Sequence, residues 1–221
     1  MPARNLSLMP DDPRDGSDLP LLGPARVDAL TEVASIGAGH AATALSVLTG
    51  QRIMIDVPMV SVGLLSELVP RIAPLDARIV GITMDMQGSL TGQTLLALPV
   101  ATAARLAGLM LRRSHPDEVE GFDALEESAL REAGNILGGA YMTALSEFLT
   151  MRLMPSPPQL TIATASELIR ECASKRGSDD SVCCVETEFR FQEIGEAFRG
   201  FFLLVPDGES LGAIFRAVHI A

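Results

Sequence analysis

The chain repeats itself at an offset of 100 residues, and this duplication restricts the possible folds more than any other feature of the sequence. Residues 28–58 align with residues 128–158 without a gap. The identical pairs are Ala29/Ala129, Leu30/Leu130, Glu32/Glu132, Ile36/Ile136, Gly39/Gly139, Thr43/Thr143, Ala44/Ala144, Leu45/Leu145, Ser46/Ser146, Arg52/Arg152, Met54/Met154 and Pro58/Pro158. Self-similarity of this kind predicts two copies of one structural unit.

Each repeat is predicted to begin with a long helix. Apolar residues recur there at intervals of three and four, which is typical of one buried helix face. The predicted buried face holds Leu30, Val33, Gly37, Ala41, Ala44 and Leu48 in the first helix, and Leu130, Ala133, Leu137, Tyr141, Ala144 and Phe148 in the second.

An extended stretch, a hairpin-like pair of strands and a short helix follow each long helix. Strands joined by short turns run antiparallel. We therefore predict an α+β fold of duplicated helix–strand–strand–strand units, with a continuous antiparallel sheet and the two long helices packed on one face. Residues 24–221 would form a single domain of two repeats, at about 24–113 and 122–221. Residues 1–23, rich in Pro, Asp and Gly, are predicted to be a disordered tail.

Composition argues against several classes of function. The chain has 28 acidic and 17 basic residues and a net charge of -11, which disfavours nucleic acid as a ligand. No apolar run reaches the roughly 18 residues that would span a bilayer, so we expect a cytoplasmic protein without a membrane partner. The three cysteines form no Cys-x-x-Cys motif and the three histidines are scattered, so no metal site is predicted.

The face opposite the predicted buried face is polar and carries short side chains. It holds Asp28, Glu32, Ser35, Gly39, Ala42 and Ser46 in the first helix, and Ser128, Glu132, Asn135, Gly139, Met142 and Ser146 in the second. A solvated outer face is one interpretation. However, glycine inside a helix costs about 1 kcal/mol relative to alanine. Gly39 and Gly139 therefore suggest a second interpretation, in which the backbone of a partner comes close.

Glu132 and Asn135 are the strongest catalytic candidates, with Glu32 and Ser35 as the weaker pair of the first repeat. Residues at i and i+3 project side by side from a helix. An Asn amide can donate and accept, which is enough to hold and aim a water molecule. Hydrolysis of an acyl phosphate requires little more than an aligned water and a charge clamp around the phosphoryl group. The pattern favours hydrolysis of a phosphoryl group carried by another protein, with the glutamate pairing with a lysine of that partner.

These residues resemble a known family motif. The spacing Asp/Ser-x3-Glu-x2-Asn-x22-Pro is similar to that of the CheC/CheX/FliY phosphatases, which dephosphorylate the chemotaxis response regulator CheY. The second repeat matches at Ser128, Glu132, Asn135 and Pro158. The first repeat matches at Asp28, Glu32 and Pro58 but carries Ser35 in place of Asn. The doubled motif and the length resemble CheC itself.

The resemblance implies a chemotaxis phosphatase that hydrolyses the aspartyl phosphate of CheY. It also implies that Asn positions the attacking water, that Glu contacts the active-site lysine of CheY, and that Mg²⁺ is bound in the partner's phosphorylation site while this chain binds no cofactor. Partner contacts are expected at Asp28, Ser128, Gly39 and Gly139, with Pro58 and Pro158 as structural positions.

Ser35 bears on how many active sites the chain has. Its side chain is shorter than that of Asn, and a misplacement of about 1 Å can cost roughly 100-fold in rate. We therefore expect a weak or inactive first site. The alternative function is a non-catalytic or weakly catalytic adaptor that binds CheD, a family partner, or a response regulator. We expect a monomer, because the duplication already supplies an internal pseudo-dimer.

Overall fold

The computed structural model describes residues 24–113, 121–174, 181–191 and 196–217. Within these ranges the chain forms six helices and eight strands, in the same order in each repeat. The first repeat contains α1 (Pro24–Thr49), β1 (Ile53–Ile55), β2 (Met59–Leu64), α2 (Leu65–Ile72), β3 (Arg78–Gly88), β4 (Gly92–Pro99) and α3 (Val100–Leu111). The second contains α4 (Ala124–Leu149), β5 (Leu153–Pro155), β6 (Gln159–Thr164), α5 (Ala165–Ser174), β7 (Ser181–Phe191), β8 (Glu196–Pro206) and α6 (Gly208–Ala217).

The two repeats exchange strands across one antiparallel sheet. Strands β4 and β8 pair at the centre of the sheet. On its other side, β4 pairs with β3 and β8 pairs with β7, the first strand of its own hairpin in each case. The first repeat's β1 and β2 then pair with β7 of the second repeat, while β5 and β6 pair with β3 of the first. Each hairpin is therefore completed by strands from the other repeat.

The two long helices pack side by side on one face of this sheet, as the sequence predicts. Leu30, Val33 and Ala34 of α1 share a buried cluster with Tyr141 and Leu145 of α4. The later part of α1, with Ala41 and Leu45, shares a second cluster with the early part of α4, which contributes Leu130, Ala133 and Leu137. The two helices consequently run antiparallel, as expected for copies related by a pseudo-twofold axis.

Helices α2 and α5 were not predicted, so the helix–strand–strand–strand unit is incomplete. They cover the opposite face of the sheet, where Leu68, Leu168 and Cys172 pack against Leu95 and Leu203. Each of these helices is short, at 8 and 10 residues, and α2 contains Pro70. Helices this short carry too few turns for their apolar spacing to stand out in the sequence.

The buried face of α1 is wider than predicted and is shifted around the helix. Ala44 and Leu48 are exposed, whereas Ala34, Ala38 and Leu45 are buried. The reason is that α1 contacts two neighbours at once, the sheet and α4, and the sequence pattern captured only part of that combined surface. On α4, Met142 is 2% exposed and belongs to the core, so its predicted place on the polar face is wrong.

The predicted tail at residues 1–23 and nearly all of the predicted segment between the repeats lie outside the described residues. None of the described helices combines the length and the apolar character that crossing a lipid bilayer requires.

Candidate functional site

A complete capping box fixes the start of α4, the helix that carries the predicted catalytic pair. The Asp123 carboxylate accepts hydrogen bonds of 2.8 Å from the backbone N–H groups of Leu125 and Glu126. The Glu126 carboxylate accepts in return from the backbone N–H of Asp123 at 2.8 Å. The bond from the Glu126 N–H, opposed by partial desolvation and assisted by the Leu125 N–H and by Arg113, holds the pKa of Asp123 below its ordinary value.

The predicted catalytic pair of the second repeat lies in the open on α4. Glu132 and Asn135 are both exposed, as is Ser128 one turn before Glu132. Side chains three positions apart on a helix have Cβ atoms about 5–6 Å apart. Among the described residues, neither side chain has a hydrogen-bond or ion-pair partner. The amide of Asn135 and the carboxylate of Glu132 therefore point to solvent as neighbours.

The first repeat presents a similar face with one change in its polar chemistry. Asp28 and Glu32 are exposed on α1. Ser35 is half-buried, and its hydroxyl donates a hydrogen bond of 2.8 Å to the backbone carbonyl of Thr31. Serine commonly bonds back to its own helix in this way. The hydroxyl that replaces the Asn amide is therefore directed at the helix backbone.

Gly39 and Gly139 lie next to these sites in open space. A Cβ atom added at either position would have no heavy atom within 4 Å, apart from its own helix backbone and chain neighbours. The buried glycines of the same helices are different. A Cβ at Gly134 would lie 2.5 Å from Ile82 Cγ2, and one at Gly37 would lie 2.7 Å from the Tyr141 ring. Packing within the fold explains the buried glycines, but it does not explain the exposed Gly39 or the half-buried Gly139.

The two sites face away from each other. Gly37 is the point where α1 approaches α4, since its Cβ position is 3.0 Å from the Tyr141 Cα. At about 100° per residue, Ser35 lies on nearly the opposite side of α1 from Gly37. The pseudo-twofold relation places Asn135 in the same way on α4. Partners bound at the two sites would therefore approach from opposite sides of the helix pair.

Pro58 and Pro158 lie away from the two exposed faces and serve the sheet. Each immediately precedes the strand that crosses to the other repeat, β2 after Pro58 and β6 after Pro158. Pro58 is buried and Pro158 is half-buried. Proline is tolerated at the start of a strand because its missing N–H removes no ladder bond there.

Two other residues of the predicted polar stripe have structural roles. The Ser46 hydroxyl accepts from the backbone N–H of Ile53 at 2.9 Å and ties the end of α1 to β1. The Ser146 hydroxyl donates to the backbone carbonyl of Met151 at the equivalent end of α4. Sequence spacing alone could not separate these bonds from a solvent-facing role. The exposure of Ile36, at 45%, was missed because isoleucine resembles a core residue by type.

Tyr141 is buried, as the sequence predicts, and has no direct part in the exposed face. Its hydroxyl lies 2.8 Å from the Thr187 hydroxyl, and its ring stacks on Phe202 with centroids 4.7 Å apart. Burial raises the pKa of Tyr141 to about 12. Across the described residues, no three His, Cys, Asp or Glu side chains converge as a set that would hold a metal ion.

Comparison with known proteins identifies the family. The sequence model of the CheC-like family matches residues 27–62 and 125–162, which contain both copies of the Glu-containing motif. CheY-P phosphatase CheC of Bacillus subtilis (strain 168) is 30% identical over 197 residues, covering 87% of this chain and 93% of that protein. The chain belongs to the CheC-like family.

Two further comparisons agree with this assignment. The flagellar motor switch phosphatase FliY of Bacillus subtilis (strain 168) is 29% identical over 172 residues, covering 76% of this chain but only 43% of FliY. The crystal structure of Thermotoga maritima FliY superposes with a TM-score of 0.74 at 25% identity, covering 90% of this CheC-like chain and 98% of that chain. The duplicated antiparallel fold is therefore that of the family.

Proposed function

We propose that this chain is a chemotaxis phosphatase that hydrolyses the aspartyl phosphate of a CheY-type response regulator. The observation that carries the proposal is the exposed Glu132–Asn135 pair on α4, whose side chains have no partner among the residues that the structure describes, within a segment that matches the CheC-like family. The similar proteins of Bacillus subtilis are named a CheY-P phosphatase and a flagellar motor switch phosphatase. A site open to solvent suits a substrate that is itself a folded protein.

The proposed reaction is in-line attack of water on the phosphoryl group. The water oxygen forms a bond to phosphorus while the bond from phosphorus to the aspartyl oxygen breaks. The electron pair of that bond returns to the aspartate carboxylate, the proton of the water passes to phosphate or solvent, and inorganic phosphate leaves. The Asn135 amide would hold the attacking water in line, and such positioning accounts for a large share of catalysis in phosphoryl transfer.

Glu132 would fix the docking position. Its carboxylate is exposed beside Asn135 and can form a charge-assisted hydrogen bond with a lysine of the regulator. Mg²⁺ held by the regulator would neutralise charge on the phosphoryl oxygens. In the proposal this chain holds no metal of its own. The proposal places the chain in the cytoplasm as a monomer.

The hydrogen bonding of Ser35 supports the proposal that each chain has one active site, in the second repeat. Its hydroxyl is already bonded to the Thr31 carbonyl and is held close to the helix. The same observation favours the second candidate function, an adaptor that binds CheD or a regulator with little hydrolysis. The two functions differ in whether the second repeat turns over phosphate.

The direct test is phosphate release from a phosphorylated CheY-type regulator with Mg²⁺, with and without the purified chain. We expect the chain to accelerate release, and we expect the Glu132→Ala variant to lose most of that acceleration. Glu67→Ala on α2 is the matched control, because Glu67 is an exposed glutamate on a helix of the opposite sheet face. Release that is no faster than that of the regulator alone, combined with tight binding of CheD, would favour the adaptor.

A further inference from the structure

The four middle strands of the sheet present one row of side chains to the long helices. The row consists of Ile82, Leu96, Phe202 and Val185, on β3, β4, β8 and β7. It is symmetric about the Leu96–Phe202 pair, so Ile82 and Val185 hold equivalent positions in the two repeats. All four residues belong to the buried clusters beneath α1 and α4. The row therefore allows the helix–sheet contacts of the two repeats to be compared position by position.

Under α4 this contact is a glycine against a large side chain. A Cβ atom at Gly134 would lie 2.5 Å from Ile82 Cγ2. One turn later, the place that a Cβ atom of Gly138 would take is occupied by Met84 Cε. The two glycines thus let the helix backbone approach β3 closely. Gly134 directly precedes Asn135 in the chain, so the close contact lies at the turn that carries the amide.

Under α1 the equivalent contact is loose. The offset of 100 residues places Ala34 and Ala38 where α4 has its two glycines. On the sheet, Val185 is one methylene smaller than its counterpart on β3. Ala34 and Val185 line an apolar cavity of about 40 Å³ between α1, α4 and the sheet. The repeat that carries the asparagine is therefore closely packed at this point, whereas the repeat that carries the serine is not.

We propose that Gly134 and Ile82 are positioning residues, whose contact holds Asn135 at a fixed height above the sheet. This inference rests on the proposed function. Neither residue reaches the reacting atoms, because both are buried on the inner side of α4. They act through the helix, by fixing the turn from which the amide projects. The first repeat lacks this contact as well as the asparagine.

The height of α4 matters because the regulator must rest on more than this helix. A folded partner typically covers about 800 Å² of each protein. The exposed face of α4, with 26 residues, measures about 39 Å by 10 Å and supplies about half of that area. The remaining contact falls on neighbouring elements that are fixed to the sheet. A change in the height of α4 relative to those elements displaces the Asn135 amide from the attacking water.

A methyl group at Gly134 would move this turn of α4. Carbon atoms in contact lie about 3.5–4.0 Å apart, so the 2.5 Å approach leaves about 1 Å to be absorbed. Ile82 is 1% exposed and its branched side chain has few rotamers. The strand cannot recede, because Leu168 Cδ1 lies 2.9 Å from the Cβ position of the adjacent Gly81 on the opposite face. The turn that carries Asn135 therefore yields, and a misplacement of about 1 Å can cost roughly 100-fold in rate.

The experiment separates the rate of hydrolysis from binding. The probe is a phosphorylated CheY-type regulator that the wild-type chain dephosphorylates, with Mg²⁺, and each variant is added to saturation. Gly134→Ala should release phosphate at least about tenfold more slowly than wild type. Its affinity for the beryllofluoride-loaded regulator should change much less than the rate. A wild-type rate in the saturated complex would overturn the inference and leave the proposed function standing.

A compensating substitution distinguishes position from stability. Ile82→Ala leaves only the Cβ atom of this side chain, 3.2 Å from the methyl group of Gly134→Ala. The double variant should therefore recover most of the rate. It should not recover stability, because truncation of a buried isoleucine leaves a cavity. A double variant as slow as Gly134→Ala would overturn the inference.

Gly81→Ala is the matched control, because it introduces the same methyl group against Leu168 on the opposite face of the sheet, away from α4. It should lose stability and keep the wild-type rate in the saturated complex. A slow Gly81→Ala variant would count against the inference, since the rate would then follow stability. If the wild-type chain does not accelerate phosphate release from any CheY-type regulator, the proposed function fails, and the inference fails with it.

The first repeat supplies a second test that does not depend on the folding of Gly134→Ala. In a chain with Asn135→Ala and Ser35→Asn, the further changes Ala34→Gly and Val185→Ile copy the contact of the second repeat into the first. The added methylene group enters the cavity. We expect faster phosphate release than from the chain without these two further changes. Equal rates in the two folded chains would contradict a positioning role for this contact.

Discussion

The hydroxyl of Ser35 donates a 2.8 Å hydrogen bond to the carbonyl oxygen of Thr31, one turn earlier in α1. At the equivalent position of α4, the Asn135 side chain is exposed and has no partner among the described residues. The two copies of the helix therefore differ at this position. Asn135 extends into solvent, whereas Ser35 is held against the helix backbone.

Restoring the amide in the first repeat should restore activity there. In an Asn135→Ala background, Ser35→Asn is expected to raise the rate of phosphate release by at least about tenfold, because an asparagine would extend past the backbone to hold water. Ser35→Ala in the same background is the control and should give no gain. Equal rates for the Asn and Ala variants, with both folded and both binding regulator, would mean that the first face lacks more than the amide.

Two glycines of α4 should respond to alanine with opposite signs. Gly139→Ala is expected to increase the free energy of unfolding by up to about 1 kcal/mol, because the new methyl group meets open space and alanine favours a helix. Gly134→Ala is expected to decrease it by about 1–3 kcal/mol, because the methyl group would meet Ile82 Cγ2 at 2.5 Å. Chemical denaturation measures both. A stabilised Gly134→Ala variant would show that α4 packs less closely on the sheet.

Tyr141 gives a spectroscopic test of the core between the long helices. It is the only tyrosine of the chain, and burial raises its pKa from 10.0 to about 12. The folded state therefore disfavours the phenolate. The contribution of this group to stability is complete below pH 10 and is lost as the pH rises from 10 towards 12.

Absorbance of tyrosinate should consequently appear near pH 12 in the folded chain and near pH 10 in the denatured chain. Denaturation of wild type and Tyr141→Phe across this window supplies the control, because only wild type carries this pH-dependent loss. A native transition at pH 10 would place the phenol in contact with water.

The sequence was most informative where one pattern repeated over many turns. The 100-residue offset and the spacing of residues such as Leu130, Leu137 and Tyr141 predicted two long helices on one face of an antiparallel sheet, and the structure confirms this. The spacing of Glu132 and Asn135 predicted neighbours on an outer face, where both are exposed. Their catalytic roles stay predictions.

Other features depend on contacts that are distant in sequence. Ala38 and Leu45 are buried because α1 packs against the sheet and α4 together, and Met142 is buried by the same packing. The exchange of β1, β2, β5 and β6 between repeats leaves no signal in either repeat alone. Serine at positions 46 and 146 reads as polar surface in the sequence, yet each hydroxyl bonds to backbone that follows its helix.

The role of the Asn135 amide in positioning water is tested most directly in a complex of the phosphorylated regulator with the Asn135→Ala variant. The measurement is the rate at which the regulator loses its acyl phosphate while it is fully bound. Saturating the regulator with the variant separates chemistry from docking, because Glu132 and the rest of the exposed face of α4 are unchanged. We predict that the bound regulator loses phosphate roughly 100-fold more slowly than with the wild-type chain. Decay at the wild-type rate in that complex would contradict the assignment of the water-positioning role to the Asn135 amide.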